Sequence, residues 1–251
     1  MGSSQIQGEF WTARAREWAE LQEGSFRPLY EAAFTATHVG NGTALLDVGC
    51  GAGLALATAQ TRGAEVSGLD AAAGLAELAR SRRPGADILV GDIEELPFGD
   101  GNFDVTTGFN SFQYASDPVH ALTEATRVTK PNGYVVAAVW GAPEKCDLAP
   151  YIAALGKLLP PPPPGASGPF EFSAPGALEA FVSKAALKPG AAGTVTTTMS
   201  FRDEATAVRG LLASGVAERA IRNSGEAAIR EGVITAVQPF RKGDGSYVLR
   251  N

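Results

Sequence analysis

The sequence predicts an α/β fold in which helices cover both faces of a doubly wound, mostly parallel sheet. Five apolar segments within residues 43–140 alternate with helical segments, which is the pattern of parallel strands joined by helices. A turn with three glycines, "GCGAG", joins the first of these strands to a helix, and parallel sheets of this kind bind ligands beside such turns. We therefore expect a ligand site at the carboxyl ends of the strands.

Apolar runs place the predicted strands, and helical spacing with its start and stop residues places the predicted helices. Strands are predicted at 43–49, 64–70, 86–92, 102–110 and 133–140. Helices are predicted at 9–37, 54–62, 72–82 and 117–130. Gly24 and Ser25 interrupt the first helix, and Asp117 followed by Pro118 is typical of a helix start.

Residues 141–251 carry a looser pattern. The segment 155–170 contains five consecutive prolines, which favour a stiff, extended spacer and disfavour helix. Beyond this spacer the sequence predicts a helix at 175–187, a strand at 193–201, two or three helices within 203–239 and a last strand at 244–251. Gly215 and Gly225 are the expected breaks between those helices.

These elements are interpreted as one structural domain with three regions. Residues 1–42 form an N-terminal helical cap, 43–140 form the ligand-binding core, and 141–251 supply the remaining core strands together with lid helices. The expected fold class therefore has helical lid segments at the N-terminus and between the last two strands. Segments 141–173 and 202–240 leave the ligand side of the sheet, so we expect them to line the site.

Charge and cysteine content limit the classes of partner. The 251 residues carry a net charge of −6, and no run of Lys or Arg exceeds two residues, which argues against nucleic acid and anionic membranes as partners. Cys50 and Cys146 have no metal-ligand spacing, and their number favours a reducing, cytoplasmic location. We expect a cytoplasmic protein that binds no metal, no nucleic acid and no membrane, and the oligomeric state is left open.

The glycine turn after the first strand is the strongest local signal. Gly49, Gly51 and Gly53 are interpreted either as a tight turn that serves packing alone or, preferably, as close approach of a ligand to backbone N–H groups at a helix start. A dinucleotide fingerprint, G-x-G-x-x-G, requires a third glycine where Leu54 or Leu56 stands. A pyrophosphate cradle is therefore disfavoured, and a nicotinamide-dependent oxidoreductase stays as an alternative.

Residues 45–53, "LLDVGCGAG", resemble the first motif of the class I S-adenosylmethionine-dependent methyltransferases, and the resemblance extends over about 43–140. Segments outside this range, among them "FWTARAREWAELQE" and "PFRKGDGSYVLRN", resemble a bacterial small-molecule branch of that family, the type 11 and type 25 methyltransferases. The resemblance implies a Rossmann-like fold and S-adenosyl-L-methionine as cofactor. It further implies that the glycines lie under the methionine portion, that Asp47 holds the cofactor's amino group, and that the helix start suits the cofactor's carboxylate.

Three later segments match further motifs of the family. "SGLD" ends with an acid that the resemblance assigns to the ribose hydroxyls, "VGDIEELPF" supplies an acid for the adenine amine, and "GFNSF" lines the sulfonium end. A tryptophan of the N-terminal cap is expected against the cofactor. The complete predicted cofactor-binding set is Asp47, Gly49, Cys50, Gly51, Gly53, Asp70, Ala71, Asp92, Ile93, Asn110, Ser111, Phe112 and Trp18.

The sequence thus predicts an enzyme that transfers a methyl group from S-adenosylmethionine to a small, partly apolar metabolite. A non-catalytic protein that only binds S-adenosylmethionine is a further alternative, because no catalytic residue is identified. His38 is interpreted as a surface loop residue and His120 as a structural residue on a helix. A general base is needed only when the acceptor must lose a proton.

Overall fold

The computed structural model describes residues 3–159 and 168–251. Its central sheet has five parallel strands in the order β3–β2–β1–β4–β5. The strands are β1 (Ala44–Val48), β2 (Glu65–Asp70), β3 (Asp87–Val90), β4 (Phe103–Phe109) and β5 (Thr129–Ala138). Because the chain builds outward from β1 to β3 and then restarts at β4 on the other side, the carboxyl ends of β1 and β4 form a switch point.

Helices cover both faces of the sheet. They are α1 (Ser3–Leu21), α2 (Arg27–Ala36), α3 (Leu54–Thr61), α4 (Ala73–Arg82), α5 (Pro118–Val128), α6 (Ala149–Gly156), α7 (Ala177–Lys184), α8 (Glu204–Leu212), α9 (Gly215–Ser224) and α10 (Glu226–Val237). Successive strand side chains point to opposite faces, so Leu45 packs into the core that contains α2 and α3, while Leu46 packs into the core that contains α5. The predicted doubly wound α/β fold is confirmed.

The fifth strand begins earlier than the sequence predicts. Thr129 and Lys130, placed by the prediction at the end of a helix, already belong to β5, and Thr129 pairs with Phe103. The register then shifts, and Asn132 adopts a left-handed φ of 65° at this irregularity. The apolar run that begins at Gly133 marks only the regular part of the strand, so the predicted boundary was wrong.

Strands β6 (Thr198–Phe201) and β7 (Tyr247–Arg250) form a second, antiparallel sheet. The prediction treated 193–201 and 244–251 as remaining strands of the core; within the described residues they pair with each other and not with the central sheet, so this prediction was wrong. The reason lies in their apolar side chains: the Phe201 ring lies over Gly210 of α8, where an added Cβ would be 2.3 Å from a ring carbon. The boundaries of the three predicted regions stay a prediction.

Two further differences concern the lid. Helix α6 was not predicted, although Leu148, Tyr151 and Leu155 stand at helical spacing and are buried. The expected three-helix arrangement is present, with Gly215 starting α9 and Gly225 (φ 85°) separating α9 from α10. The stiff spacer predicted from the prolines falls largely at 160–167, outside the described residues.

Helix α1 connects the sheet to the lid. On one side Gly8 lies against the loop after β2, where a Cβ would be only 2.3 Å from the carbonyl oxygen of Ala71. On the other side the Arg14 guanidinium pairs with Glu218 of α9 at 2.7 Å, and Glu218 also accepts a hydrogen bond from Arg222 at 2.9 Å. The N-terminal helix therefore closes over the carboxyl ends of the strands. In the part of the chain that the structure describes, every helix is too short or too polar to cross a membrane.

Candidate functional site

One cavity lies at the carboxyl ends of the parallel strands, where the sequence predicts the ligand site. We call one part of it the glycine-loop end, which is lined by Gly49, Gly51, Asp70, Asp92 and Ser111 from the loops after β1 to β4. We call the other part the lid end, which is lined by Tyr30, Phe109, Trp140, Tyr151, Leu155 and Leu211. The cavity is continuous, so a ligand held by the loops borders the space under the lid helices.

The structure brings most of the predicted site residues to this cavity. The lining includes Trp18, Gly49, Gly51, Asp70, Ala71, Asp92, Ile93, Asn110 and Ser111. Four predicted residues lie behind the lining: Asp47 is buried in β1, Cys50 packs on β2 against Gly68, Gly53 packs on α4, and Phe112 is buried beside Phe181. Direct contact of any of these residues with a cofactor stays a prediction.

The three glycines of the loop differ in how closely neighbouring side chains approach them. All three have positive φ, with values of 78° at Gly49, 55° at Gly51 and 84° at Gly53. An added Cβ at Gly49 would lie 2.5 Å from the Cβ of Ser111, and one at Gly53 would lie 3.0 Å from the Cβ of Ala79. At Gly51 the nearest side-chain atom would be 3.6 Å away, so a larger side chain there would extend toward the cavity. At Gly49 and Gly53, both the positive φ and the close packing of neighbouring side chains therefore favour glycine.

The carboxylate of Asp70 holds two loops of the glycine-loop end in place. Its Oδ2 accepts a hydrogen bond from the Gly51 N–H at 2.8 Å, and its Oδ1 accepts one from the Ala72 N–H at 2.8 Å. Burial raises the pKa of Asp70 to about 6, while these two hydrogen bonds oppose the rise and the nearby Glu23 carboxylate adds to it. Asp70 thus shapes the site as well as lining it.

Asp47 is a second buried carboxyl group beneath the same loop. Its Oδ1 accepts a hydrogen bond from the Thr107 hydroxyl of β4 at 2.7 Å. Burial raises its pKa to about 7; the Thr107 hydrogen bond opposes this, and the carboxylates of Asp70 and Glu23 add to it. A cationic group bound above the loop would stabilise the ionised form of Asp47.

The end of β4 presents an unusual backbone conformation and an unpartnered hydroxyl. Asn110 has a φ of 53°, rare for a residue other than glycine and frequent at binding sites. Next to it, the Ser111 Oγ is buried and has no hydrogen-bond partner among the described residues. A buried hydroxyl without a partner costs free energy, and a ligand with polar groups at this position supplies the missing bond.

Glu23 is a functional candidate that the sequence analysis missed. It lies on the turn between α1 and α2, and its carboxylate accepts hydrogen bonds from the Leu54 N–H at 3.1 Å and from Arg82 of α4 at 2.5 Å. It therefore caps α3, at the helix start that the sequence assigned to a ligand carboxylate. The Leu54 N–H is thus already bound by the protein, and binding of a ligand carboxylate at this helix start stays a prediction. No local motif marks Glu23, because its partners lie far away in sequence.

Aromatic side chains surround much of the cavity. Trp11 and Trp18 meet edge to face at 5.1 Å, Trp18 stacks on Phe26 at 5.7 Å, and Phe26 meets Trp140 at 5.7 Å. At the lid end Tyr30 lies against Phe109 at 4.7 Å. All three tryptophans of the chain line the cavity, and such a lining binds flat, apolar molecules.

The titratable groups of the lining are carboxyl and phenol groups. Within the described residues they are Asp70, Asp92, Tyr30, Tyr114 and Tyr151, and both histidines are exposed outside the lining. Burial raises the pKa of Tyr114 to about 12 and raises those of Tyr30 and Tyr151 above their usual value. These tyrosines are therefore protonated at neutral pH. No group of His, Cys, Asp and Glu side chains in residues 3–159 and 168–251 has the arrangement of a metal site.

The core of the chain matches a known family model. Residues 46–137 match the model described as a methyltransferase domain, a range that contains the loops after β1 to β4. This range, little more than a third of the chain, is thus similar to the domains of the S-adenosylmethionine-dependent methyltransferase family. Helices α1 and α2 and the lid helices α6 to α10 lie outside the matched range of this methyltransferase domain.

Curated relatives resemble the methyltransferase domain only. Over 102 residues it is 36% identical to the demethylmenaquinone methyltransferase of Renibacterium salmoninarum, covering 41% of this chain and 43% of the relative. Over 95 residues it is 39% identical to the malonyl-acyl-carrier-protein O-methyltransferase of Serratia marcescens, covering 38% of this chain and 37% of the relative. The matches thus span less than half of these relatives. The YcgJ protein from Bacillus subtilis has the same fold, with a TM-score of 0.58, 19% identity and coverage of 88% of this chain and 94% of that chain.

S-adenosyl-L-methionine is the cofactor of this methyltransferase family, and the glycine-loop end fits its chemistry. The cofactor carries hydroxyl and amine donors, and this end supplies the carboxylates of Asp70 and Asp92 together with the unpartnered Ser111 hydroxyl. Its sulfonium and ammonium groups are cationic, and three buried carboxyl groups, Asp47, Asp70 and Glu23, interact beneath the loop. The individual contacts stay predictions.

The raised pKa of Asp47 predicts a pH dependence of stability. The folded state binds the proton of Asp47 more tightly than the unfolded chain between about pH 4 and 7, so the free energy of unfolding falls as the pH rises through that window. Asp47→Asn keeps the oxygen that accepts from Thr107 but has no carboxyl group to titrate. Between pH 5 and 8 the free energy of unfolding should therefore fall less in this variant than in the unmodified protein. Urea unfolding at both pH values measures it, with Asp87→Asn at an exposed position as the control. An equal decline in Asp47→Asn and the unmodified protein would contradict the assignment.

The position of Glu23 predicts that it fastens the N-terminal cap to the domain. Glu23→Ala removes the acceptor of the Leu54 N–H and the partner of Arg82 together, so we expect a loss of about 1–3 kcal/mol in the free energy of unfolding. Hydrogen exchange should also become faster in residues 3–26. Glu20→Ala, on the exposed face of α1, is the matched control. Equal stability and exchange in the two variants would remove Glu23 from this role.

Proposed function

We propose that this protein transfers the methyl group of S-adenosyl-L-methionine to a small, partly apolar acceptor. One observation carries the proposal: the cavity runs without interruption from the glycine-loop end to an aromatic lid end. A cofactor on the loops would therefore have its reactive end beside the lid end, which is lined by Tyr30, Phe109, Trp140, Tyr151, Leu155 and Leu211. The family of the domain supports the same reaction.

The chain contributes alignment and exclusion of water to this reaction. When bound, S-adenosylmethionine supplies a methyl group on a cationic sulfur, and the nucleophile of the acceptor must approach along the line of the bond that breaks. Helix α1 and the lid helices border the cavity, so bound reactants would be held together there with reduced access for bulk water. The tyrosines of the lining are protonated donors, so they orient the acceptor and do not take its proton.

The cellular setting is part of the same proposal. Both cysteines, Cys50 and Cys146, are free and buried, which supports the reducing environment of the cytoplasm. The net charge of −6 supports a small-molecule acceptor over nucleic acid.

A pair of titrations tests the cofactor part of the proposal. Calorimetry should show that the protein binds S-adenosylhomocysteine, the product form of the cofactor, while NAD titrated under the same conditions gives no binding heat. Methyl transfer is then measured with a radiolabelled methyl group over a panel of metabolites. Binding of NAD in place of S-adenosylhomocysteine would favour a nicotinamide-dependent oxidoreductase. Binding of S-adenosylhomocysteine without transfer to any member of a broad panel would favour a non-catalytic binding protein.

Asp70 provides the residue-level prediction for the cofactor site. Asp70→Asn keeps an oxygen for the Ala72 N–H but loses the charge that we expect to bind the ribose hydroxyls, so S-adenosylhomocysteine should bind more weakly by about 1–3 kcal/mol. The fold should be retained, because the neutral side chain relieves the cost of burying a carboxylate, but its NH2 group faces the Gly51 N–H and the loop after β1 loses that hydrogen bond. Calorimetry measures the affinity, and Asp87→Asn on the exposed start of β3 is the control. Unchanged affinity in a folded Asp70→Asn protein would exclude Asp70 from the site.

A further inference from the structure

The lid end of the cavity has no cationic side chain in the described part of the chain. Its lining contains no Lys, Arg or His, and the charged residues of the whole lining are Asp70 and Asp92 at the glycine-loop end. A carboxylate or phosphate on an acceptor would therefore be buried without a counter-charge and in the field of two acids. Such burial is strongly unfavourable, whereas an uncharged molecule pays no comparable cost.

Two tyrosine hydroxyls of the lining have no hydrogen-bond partner among the described residues. They belong to Tyr30, which is 7% exposed, and Tyr114, which follows β4. Tyr151 differs from both, because its hydroxyl donates to the carbonyl oxygen of Leu211 at 2.5 Å. Burial raises the pKa of Tyr114 to about 12 and also raises that of Tyr30, so both hydroxyls remain donors at neutral pH. Neither hydroxyl oxygen is among the fully buried atoms that lack a partner, so both are accessible, and a molecule in the cavity that they line can accept from them.

Ring side chains line the cavity around both tyrosines, and Tyr114 lies near enough to Tyr151 of the lid end to add to the rise that burial causes in the pKa of that phenol. Tyr30 packs edge to face on Phe109 at 4.7 Å, Tyr114 packs against Trp11 at 6.3 Å, and Trp140 meets Phe26 at 5.7 Å. Such walls favour a flat ring, which gains stacking and edge contacts in addition to burial of apolar area.

We infer that the lid end accepts an uncharged, largely apolar ring compound, and that Tyr30 and Tyr114 select it by donating hydrogen bonds to its hydroxyl or carbonyl oxygen. This inference rests on the proposed function, because it assigns the acceptor of that reaction. The names of the two relatives contain two kinds of acceptor, a quinone-type ring and an acidic acyl group. For this protein, the inference favours the quinone-type ring. Tyr30 and Tyr114 are thereby specificity residues, and neither acts as a base.

Two probes that differ by one carboxylate test the inference. We would titrate 2-naphthol and 6-hydroxy-2-naphthoate by calorimetry into the full chain, with and without saturating S-adenosylhomocysteine. 2-Naphthol should bind at least about 10-fold more tightly than the carboxylated probe, since the carboxylate has no counter-charge in the lining. Tyr30→Phe and Tyr114→Phe should each weaken 2-naphthol about 3- to 10-fold, the effect of one neutral hydrogen bond, and leave S-adenosylhomocysteine affinity within about 2-fold.

Two control variants separate this role from general effects of removing a phenol group. Tyr134→Phe changes a 47%-exposed tyrosine on β5 outside the cavity, and Tyr151→Phe changes a lining hydroxyl that already has a partner. Tyr134→Phe should not change the affinity for 2-naphthol, and Tyr151→Phe should change it less than Tyr30→Phe does. Equal or tighter binding of the carboxylated probe would overturn the inference, as would unchanged 2-naphthol affinity in both Tyr30→Phe and Tyr114→Phe. Failure of S-adenosylhomocysteine to bind would overturn the proposed function instead, and the titrations without it would still decide whether the lid end prefers the uncharged ring.

Discussion

The cofactor half of this protein depends on a buried carboxylate that accepts backbone hydrogen bonds from two loops. Asp70 ends β2, and its two oxygens accept from Gly51 in the loop after β1 and from Ala72 at the start of α4. Because β1 and β2 are neighbours in the sheet, the same side chain fixes the relative position of two strand ends and of the helices that follow them. The cavity floor is rigid at this point, although its backbone is irregular.

Burying this carboxylate beside others has an energetic cost. Asp47, Asp70 and Glu23 interact with one another beneath the glycine turn, and Arg82 is the cation that pairs with Glu23. Burial raises the pKa of all three groups, and neighbouring carboxylates add to the rise at Asp47 and Asp70, so the site opposes full ionisation at neutral pH. A ligand that carries positive charge removes part of this cost and stabilises the folded state in proportion to its binding. The three buried carboxyl groups therefore destabilise the ligand-free protein and favour the binding of a cation.

Sequence patterns were sufficient for most of the central sheet and for many of the residues that line the cavity. Strands β1 to β4 follow from apolar runs, and the turn after β1 follows from its glycines, because both signals are local in the chain. The start of β5 was missed because Asn132 and Gly133 interrupt the strand with an irregular register. Glu23 was missed for another reason: a helix cap supplied by a residue far away leaves no trace in the sequence around Leu54. The second sheet was misplaced because strand pairing is decided by burial against α8, which short strands do not reveal.

The tryptophans give the protein an optical property that follows from their position. The chain has three, Trp11, Trp18 and Trp140, and all of them line the same cavity. Its ultraviolet emission therefore originates almost entirely from the walls of the site, with tyrosines elsewhere adding little. Trp11 and Trp18 lie on the N-terminal helix, whereas Trp140 follows the last parallel strand. The emission therefore combines signals from helix α1 and from the edge of the central sheet. The molecule thus contains an intrinsic fluorophore for occupancy and closure, and no label has to be attached.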